Sequence, residues 1–214
     1  MKHEIDIITL NKRAWERVAD TFAKRDPIEV SAIFEFFCNR LPKKSRVLDV
    51  GCGTGVPYAK LLVERDHQVT GIDISSQMIL IARKNVPQAT FRELSMTDLD
   101  YEEEFDGVVS SYSMLLLDPP RFNDVAQKIV HSLKNRGLLY MSLNEPCRED
   151  VDVDEDVIVE IMGETMYSRG YTKEEVMDAF GRSGMLTLLQ FQRQIITSKE
   201  FGKEHMMEFV FKKK

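Results

Sequence analysis

Three glycines at alternate positions are the residues of this sequence with the clearest chemical meaning. Gly51, Gly53 and Gly55 follow a short apolar run, residues 46–50, whose aliphatic and β-branched side chains predict a strand covered on both faces. Glycine lets the backbone turn sharply and approach a ligand closely, because no Cβ stands in the way. The spacing differs from the dinucleotide fingerprint and from the phosphate loop, and no lysine follows to meet a phosphate. Asp49, inside the run, would repel a pyrophosphate and suits a cationic ligand.

A second carboxylate, Asp73, stands at the end of the next predicted strand, residues 68–72. In a βαβ unit this position lies beside the first glycine loop, where an acidic side chain can accept hydrogen bonds from both hydroxyls of a ribose. Alone, this feature fits any ribose-bearing cofactor. Together with the glycine loop, it predicts a ribose-bearing ligand whose binding needs close backbone approach and no phosphate neutralisation.

The elements that must position these residues begin with two predicted helices. Residues 5–24 carry an apolar stripe at helical spacing, and a second helix is predicted from an Asp26 N-cap, with Pro27 in its first turn, to residue 41. From residue 46 onward strands and helices alternate, which indicates βαβ units and a parallel sheet. Further strands are predicted at residues 89–94, 105–111, 138–143, 186–196 and 205–211, the last two as a hairpin.

Capping residues mark the starts of three later helices. Ser75 and Asp118 are predicted N-caps, and Thr172 opens a capping box with Glu175. We therefore expect helices after the second strand, after the fourth strand and before the final hairpin.

The predicted domain organisation is a single domain, residues 1–214, with an N-terminal helical extension at 1–42. Residues 145–170 are polar and predicted to be irregular, apart from one apolar patch at 157–162. This segment is too short to be a domain of its own and is the best candidate for a lid over the active site.

Composition narrows the function classes. The formal net charge of −6 over 214 residues disfavours nucleic acid as a partner, because duplex-binding domains usually carry a basic excess. No apolar run approaches the ~20 residues of a membrane span, and the N-terminus lacks the pattern of a signal peptide. The three cysteines have neither a disulfide nor a zinc spacing. We therefore expect a cytoplasmic protein with no membrane partner and no metal.

The segment 47–55, taken with Asp73, resembles the cofactor site of the class I S-adenosylmethionine-dependent methyltransferases. Residues 105–111 are similar to the fourth strand of that family, 132–139 to the helix end and fifth strand, and 171–184 to the helix before the sixth strand. The resemblance implies a doubly wound, Rossmann-like α/β fold. Its sheet would have seven mostly parallel strands, an antiparallel last strand beside the sixth, and helices on both faces.

By this resemblance, S-adenosylmethionine is the expected cofactor and S-adenosylhomocysteine the product. The glycine loop would lie along its methionine and ribose parts, Asp49 would help to place its amino group, and Asp73 would hold the ribose hydroxyls. Where the family often has an Asp for the adenine amino group, this chain has Ser95, so that hydroxyl or Asp98 would serve; Met96 would contact the ring. The expected cofactor-binding residues are Asp49, Gly51, Cys52, Gly53, Thr54, Gly55, Asp73, Ile74, Ser95, Met96 and Ser111.

The methyl acceptor is expected outside the carboxyl ends of strands one, four and five. None of the four histidines falls at this mouth, so the candidates for a general base are Tyr112 and Glu145. A nucleophile that needs little activation is favoured, such as an amine, a thiolate or a carboxylate. The candidate acceptor-binding residues are Trp15, Phe22, Tyr112, Met114, Asn144, Tyr167 and Arg169.

The favoured hypothesis is transfer of a methyl group to a small-molecule acceptor by in-line displacement. Two alternatives stay open. One is a module that binds the cofactor without catalysing transfer, and the other is a methyltransferase that acts on protein or nucleic acid.

Overall fold

A computed structural model of the chain describes residues 6–25, 29–146, 158–198 and 202–214. The helices are α1 (Ile7–Phe22), α2 (Ala32–Cys38), α3 (Tyr58–Glu64), α4 (Ser76–Asn85), α5 (Pro119–Ser132) and α6 (Lys173–Gly181). The strands are β1 (Arg46–Val50), β2 (Gln68–Asp73), β3 (Thr90–Glu93), β4 (Phe105–Ser111), β5 (Leu133–Asn144), β6 (Ile158–Ile161), β7 (Glu164–Tyr167), β8 (Leu186–Ser198) and β9 (Gly202–Lys213).

Seven of the strands form one sheet in the order β3-β2-β1-β4-β5-β9-β8. The strands from β3 to β5 are parallel neighbours, while β9 runs antiparallel to both β5 and β8. The predicted doubly wound sheet and its terminal hairpin are therefore confirmed. The chain moves outward in opposite directions from β1 and β4, so a crevice for ligands is expected at their carboxyl ends.

Helices cover both faces of the sheet because its central strands carry apolar side chains on both sides. Leu48 and Val50 pack on one face with α5 and α6, and Val47 and Val109 pack on the other with α2, α3 and α4. All four side chains are fully buried. Burial of each stabilises the fold by about 1.5–3 kcal/mol and fixes the strand ends that carry the site.

The predicted helix caps are confirmed at the three later helices. The side chains of Ser75, Asp118 and Thr172 accept hydrogen bonds from the backbones of α4, α5 and α6, and Thr172 and Glu175 form the capping box. At α1 the cap is Asp6, so this helix begins two residues later than predicted.

The second helix is shorter than predicted. It begins at Ala32, where the Ser31 hydroxyl accepts a hydrogen bond from Phe34 N at 3.1 Å. Ser31 also donates to the buried carboxylate of Glu208, which fixes the start of the helix at this point. The predicted cap, Asp26, lies outside the described residues together with Pro27.

Part of the segment predicted to be irregular is an antiparallel hairpin. Strands β6 and β7 pair from Ile158 with Tyr167 to Ile161 with Glu164, and the turn uses Gly163 at φ 82°. The apolar patch is therefore a strand, and only 158–170 and 145–146 of the predicted lid lie within the described residues. Strand β5 also begins earlier than predicted, at Leu133. No helix in the described part of the chain is long and apolar enough to cross a membrane.

Candidate active site

A cavity of about 410 Å³ opens where β1, β4 and β5 end, and α1 forms part of its wall. This volume lies in the range of small-molecule sites. Most of the lining is apolar, with a few polar groups. The described residues that line it are Ile8, Asn11, Trp15, Phe22, Arg25, Gly51, Gly53, Asp73, Ile74, Met78, Leu94, Ser95, Met96, Ser111, Tyr112, Ser113, Leu115, Leu116, Leu117, Asn144, Ile161, Ser168, Ile196, Thr197 and Glu204.

Two sets of residues form opposite ends of this cavity, because β2 and β3 lie on one side of β1 in the sheet and β5, β9 and β8 lie beyond β4. The loop end is the set that follows β1, β2 and β3: Gly51, Gly53, Asp73, Ser95 and Met96. The overhang end is the set at the ends of β4, β5, β8 and β9: Tyr112, Asn144, Ile196, Thr197 and Glu204.

At the loop end, the glycine loop needs glycine for two reasons. Gly51 has φ 70°, and a Cβ there would lie 2.3 Å from the Ser113 Cβ. Ser113 is held in this place because its hydroxyl donates to the Val50 carbonyl at 2.7 Å. The loop backbone is thus packed against the turn that follows β4, and any side chain at residue 51 would displace it.

Asp73 ties the glycine loop to the end of β2. One carboxylate oxygen accepts from Gly53 N and the other from Ser75 N, both at 2.9 Å. Burial raises the pKa of Asp73 to about 6, and these backbone N–H groups oppose the shift. The carboxylate lines the cavity and keeps lone pairs for a ligand.

Asp49 lies behind the loop and does not line the cavity. It is 2% exposed, and burial, with a smaller contribution from the negative charge of Asp73, raises its pKa to about 7. A positive charge bound nearby would favour its ionised form. Cys52, Thr54 and Gly55 also lie outside the cavity lining. Gly55 instead faces the side chains of Ala82, Val86 and Phe91, in and after α4.

The loop end is also lined by Ser95, Met96 and Ile74. Its apolar wall includes Leu94 and Met78. The Ser95 hydroxyl caps the 3-10 turn Met96–Asp98 and lies 2.7 Å from the Thr97 hydroxyl. Asp98, the other residue considered for adenine, is not part of the lining.

Trp15 and Phe22 of α1 line the cavity with their rings edge to face at 5.4 Å. The Trp15 Nε1 donor is buried and has no hydrogen-bond partner among the described residues. Helix α1 is fixed over the site by Asn11, whose side-chain amide exchanges two hydrogen bonds with the Tyr167 backbone, at 3.1 and 2.8 Å. Asn11 also donates to the Leu116 carbonyl at 3.0 Å.

Tyr112 lines the overhang end in a left-handed backbone conformation, φ 53°. Its hydroxyl lies 2.7 Å from the Met206 sulfur, toward which it donates. Burial strongly raises the pKa of this phenol, with a further contribution from the charge of Glu204. The side chain is therefore a neutral phenol at physiological pH.

The structure keeps four other predicted residues out of the cavity lining. Glu145 pairs with Arg193 at 2.8 Å, and Arg169 pairs with Glu175 at 2.8 Å. Met114 and Tyr167 are buried in the core. Ser111 does line the cavity, and its hydroxyl lies 2.8 Å from that of Ser142.

Arg25, Thr197 and Glu204 line the cavity but carried no signal in the sequence. Thr197 and Glu204 reach the cavity because the β8–β9 hairpin is longer than predicted. Pairing of β9 with β5 ends at Met206, whereas pairing with β8 continues to Gly202. Residues 195–198 and 202–205 therefore extend past the end of β5, and we call this part of the hairpin the overhang.

Comparison with known proteins gives one family match within this fold. A family described as "Methyltransferase domain" matches residues 47–137, from β1 into the first half of β5. The carboxy-S-adenosyl-L-methionine synthase of Campylobacter lari is 28% identical over 140 residues, which are 63% of this chain and 58% of that protein. The match thus spans less than two thirds of the relative's length.

Two solved structures share the fold. A SAM-dependent methyltransferase from Methanosarcina mazei has a TM-score of 0.74 at 18% identity, over 87% of this chain and 99% of that one. The 1,6-didemethyltoxoflavin-N1-methyltransferase of Burkholderia thailandensis was solved with 1,6-didemethyltoxoflavin and S-adenosylhomocysteine. It has a TM-score of 0.67 at 18% identity, over 96% of this chain and 86% of that one.

Among the described residues, no group of three His, Cys, Asp or Glu side chains is placed to hold a metal ion. The glycine loop with Asp73, the strand order and the matching family agree with one another. Residues 47–137 therefore match a methyltransferase-domain family, and the chain has the Rossmann-like fold of the class I S-adenosylmethionine-dependent methyltransferases.

Proposed function

We propose that this protein binds S-adenosylmethionine at the loop end of the cavity and transfers its methyl group to a small-molecule acceptor at the overhang end. The observation that carries the proposal is the hydrogen bond from Gly53 N to Asp73 at 2.9 Å. It holds a carboxylate that can accept from ribose hydroxyls beside a loop that a ligand can approach closely, at one end of the cavity.

The residues at the loop end fit this cofactor. Asp73 can accept from the ribose hydroxyls, and the negative charge of Asp49 behind the loop suits a ligand with an ammonium and a sulfonium group. The apolar wall of Ile74, Leu94 and Met96 fits an adenine ring. The cofactor supplies a methyl group that is already activated, so the protein mainly aligns the reactants and excludes water.

Helix α1 and the β6–β7 hairpin are proposed as the cover that excludes water. Asn11 connects them through the Tyr167 backbone, and Trp15 packs against the cluster that Ala14 and Val18 of α1 form with Met166 of the hairpin. This agrees with the interpretation of the N-terminal segment as part of the site and of the described part of 145–170 as a lid.

A small acceptor is supported by the size of the cavity and by the net charge of −6. The structural neighbour from Burkholderia thailandensis was solved with 1,6-didemethyltoxoflavin and S-adenosylhomocysteine bound. A protein or nucleic-acid acceptor would need an open mouth or a basic rim.

Neither predicted base is proposed to act as one. The phenol of Tyr112 stays neutral because burial strongly raises its pKa, and Glu145 is paired with Arg193 outside the cavity lining. Tyr112 is instead proposed to contact the acceptor as a neutral hydrogen-bonding group.

Titration calorimetry with S-adenosylhomocysteine tests the cofactor site. The variant Asp73→Asn should bind about 10- to 100-fold more weakly, as expected when a charge-assisted hydrogen bond is lost. The matched control is Asp178→Asn, an exposed residue on α6 that should leave the affinity unchanged. Absence of binding by the unaltered protein at millimolar ligand would overturn the proposal.

A second experiment separates catalysis from silent binding. The protein is incubated with S-adenosylmethionine and a mixture of small amines, thiols, phenols and carboxylic acids, and methylated products are detected by mass spectrometry. A methylated product supports the enzyme. Binding of the cofactor with no product across the mixture would support the silent binding module.

A further inference from the structure

The cavity is lined by a second carboxylate, Glu204, to which the proposed cofactor binding assigns no role. Glu204 lines the overhang end, across the cavity from Asp73. It is half-buried on β9 opposite Ile196, in the part of the hairpin that extends past β5. A carboxylate in this place faces the region where the proposed function requires the methyl acceptor.

The neighbours of Glu204 define what it can bind. The side-chain nitrogen of Asn144 donates to Glu204 Oε1 at 2.6 Å, and this is the hydrogen bond that the structure gives Glu204 among the described residues. Arg25 contributes a positive charge that favours the ionised carboxylate, against the effect of burial, which raises its pKa. The second carboxylate oxygen therefore keeps its capacity to accept hydrogen bonds.

A further acceptor atom lies beside Glu204. The side-chain oxygen of Asn144 is buried and has no hydrogen-bond partner within the described residues. Because the nitrogen of the same amide is bonded to Glu204, the two acceptor oxygens are neighbours. The Tyr112 hydroxyl donates toward the Met206 sulfur, so it too presents lone pairs rather than a proton.

Unpaired acceptors in a largely apolar cavity cost free energy unless a ligand supplies donors. A hydroxyl group has one proton to donate, whereas a primary or secondary ammonium group has at least two on one nitrogen. Two adjacent acceptors, one of them charged, therefore match a cationic amine better than an alcohol.

We propose that the Glu204–Asn144 pair binds the methyl acceptor, and that this acceptor is an amine whose nitrogen donates hydrogen bonds to both side chains. The inference rests on the proposed function. Glu204 takes one proton from the ammonium group, so the carboxylate becomes a neutral acid and the nitrogen gains a free lone pair. This lone pair would form the new bond to the methyl carbon while the bond from that carbon to the sulfonium sulfur breaks and its electron pair stays on sulfur. The proton then passes from Glu204 to water.

Arg25 offers the competing interpretation, since a positive charge lines the same cavity. Its guanidinium lies over the Phe22 ring, 5.0 Å from the centroid. If Arg25 rather than Glu204 bound the acceptor, that acceptor would carry a carboxylate. The experiment must therefore compare probes of opposite charge.

The test uses the protein saturated with S-adenosylhomocysteine and three probes of matched shape: benzylamine, benzyl alcohol and benzoate. Binding is followed by NMR titration. Benzylamine should bind about tenfold or more tightly than benzyl alcohol. The variant Glu204→Gln should lose at least about tenfold in benzylamine affinity while binding S-adenosylhomocysteine as before, and the control Glu174→Gln, exposed on α6, should behave as the unaltered protein.

Three results would overturn the proposal: tighter binding of benzoate than of benzylamine, no binding of benzylamine at millimolar concentration, or equal benzylamine affinity in Glu204→Gln. Retained S-adenosylhomocysteine binding shows that the variant is folded. The same measurement separates the two proposals, because failure of the amine with S-adenosylhomocysteine bound leaves the cofactor site in place.

Discussion

The two ends of the cavity are built in different ways. The loop end comes from one stretch of the chain, residues 51–96, and its backbone is closely packed, since a Cβ on Gly51 would lie 2.3 Å from Ser113 Cβ. The overhang end brings together Asn144 and Glu204, which are 60 residues apart in sequence. The first end therefore has a compact sequence signature, whereas the second depends on the length of a hairpin.

Because the two ends are built differently, substitutions should have different effects at each end. Substitutions at the loop end should affect folding and cofactor binding together, because the loop backbone is part of the packed interior. Substitutions at the overhang end should affect acceptor binding and leave the fold largely intact. Four variants test this expectation.

Gly51→Ala should have the largest effect. The new Cβ would lie 2.3 Å from Ser113 Cβ at a φ of 70°, so the backbone of the loop must shift. We expect a loss of roughly 2–5 kcal/mol in unfolding free energy, from strain and overpacking, and loss of S-adenosylhomocysteine binding. Urea denaturation and calorimetry measure both.

The matched control is Gly181→Ala, at the end of α6, where a Cβ would meet nothing within 4 Å. Its stability should change by less than about 1 kcal/mol. Equal stability of the two variants would show that the loop is not the rigid end of the cavity.

Asp49→Asn should stabilise the fold and weaken cofactor binding. The pKa of Asp49 is raised from 3.8 to about 7, so its neutral form stabilises the folded state at low pH, and this contribution is lost as the pH rises through about 7. At pH 8 the variant should be more stable by up to about 4 kcal/mol, and near pH 4 the difference should vanish. Urea denaturation at both pH values measures it.

The same shift predicts that cofactor affinity depends on pH. Binding of a cationic ligand favours ionised Asp49, so affinity for S-adenosylmethionine should fall below pH 7 and binding should release protons. Calorimetry in buffers of different ionisation enthalpy detects the release. A flat affinity between pH 8 and 5.5 would contradict a role for Asp49 in binding.

Asn11→Ala should open the cover of the site. It removes three hydrogen bonds that hold α1 to β7 and to the turn after β4. Stability should fall by about 1–3 kcal/mol, and S-adenosylhomocysteine should dissociate faster. Dissociation at an unchanged rate, measured by stopped-flow displacement, would indicate that α1 does not close the cavity.

Tyr112→Phe should have the smallest effect. The neutral phenol loses its contact with the Met206 sulfur and one group that can meet the acceptor, so methyl transfer should slow by about fivefold or less. A fall of 10²- to 10⁴-fold would identify Tyr112 as a general base. Steady-state kinetics with any acceptor found in the mixture experiment distinguishes these results.

The fold could be predicted from the sequence because its signals are local. Strand β4 has the predicted bounds, and the caps Ser75, Asp118 and Thr172 are at the predicted positions, since each depends on neighbours within three or four residues. The start of α2 was missed because the Ser31 cap depends on Glu208, a residue far along the chain.

The site could be predicted only in part for the same reason. Asp73 and the glycine loop belong to one βαβ unit, so their types and spacing carry information together. Glu204 reaches the cavity because β8 pairs with a longer part of β9 than β5 does. No local sequence pattern encodes this difference in the length of the pairing. Glu145 looked equivalent in sequence, yet its pairing with Arg193 draws it away from the cavity.

The most direct test of the proposed site is a crystal structure of the protein with S-adenosylhomocysteine and benzylamine. We expect the ribose hydroxyls within hydrogen-bond distance of Asp73, the methionine amino group near Asp49, and the sulfur facing the amine between Glu204 and Asn144. A ribose that does not contact Asp73, or an amine bound away from the overhang end, would contradict it.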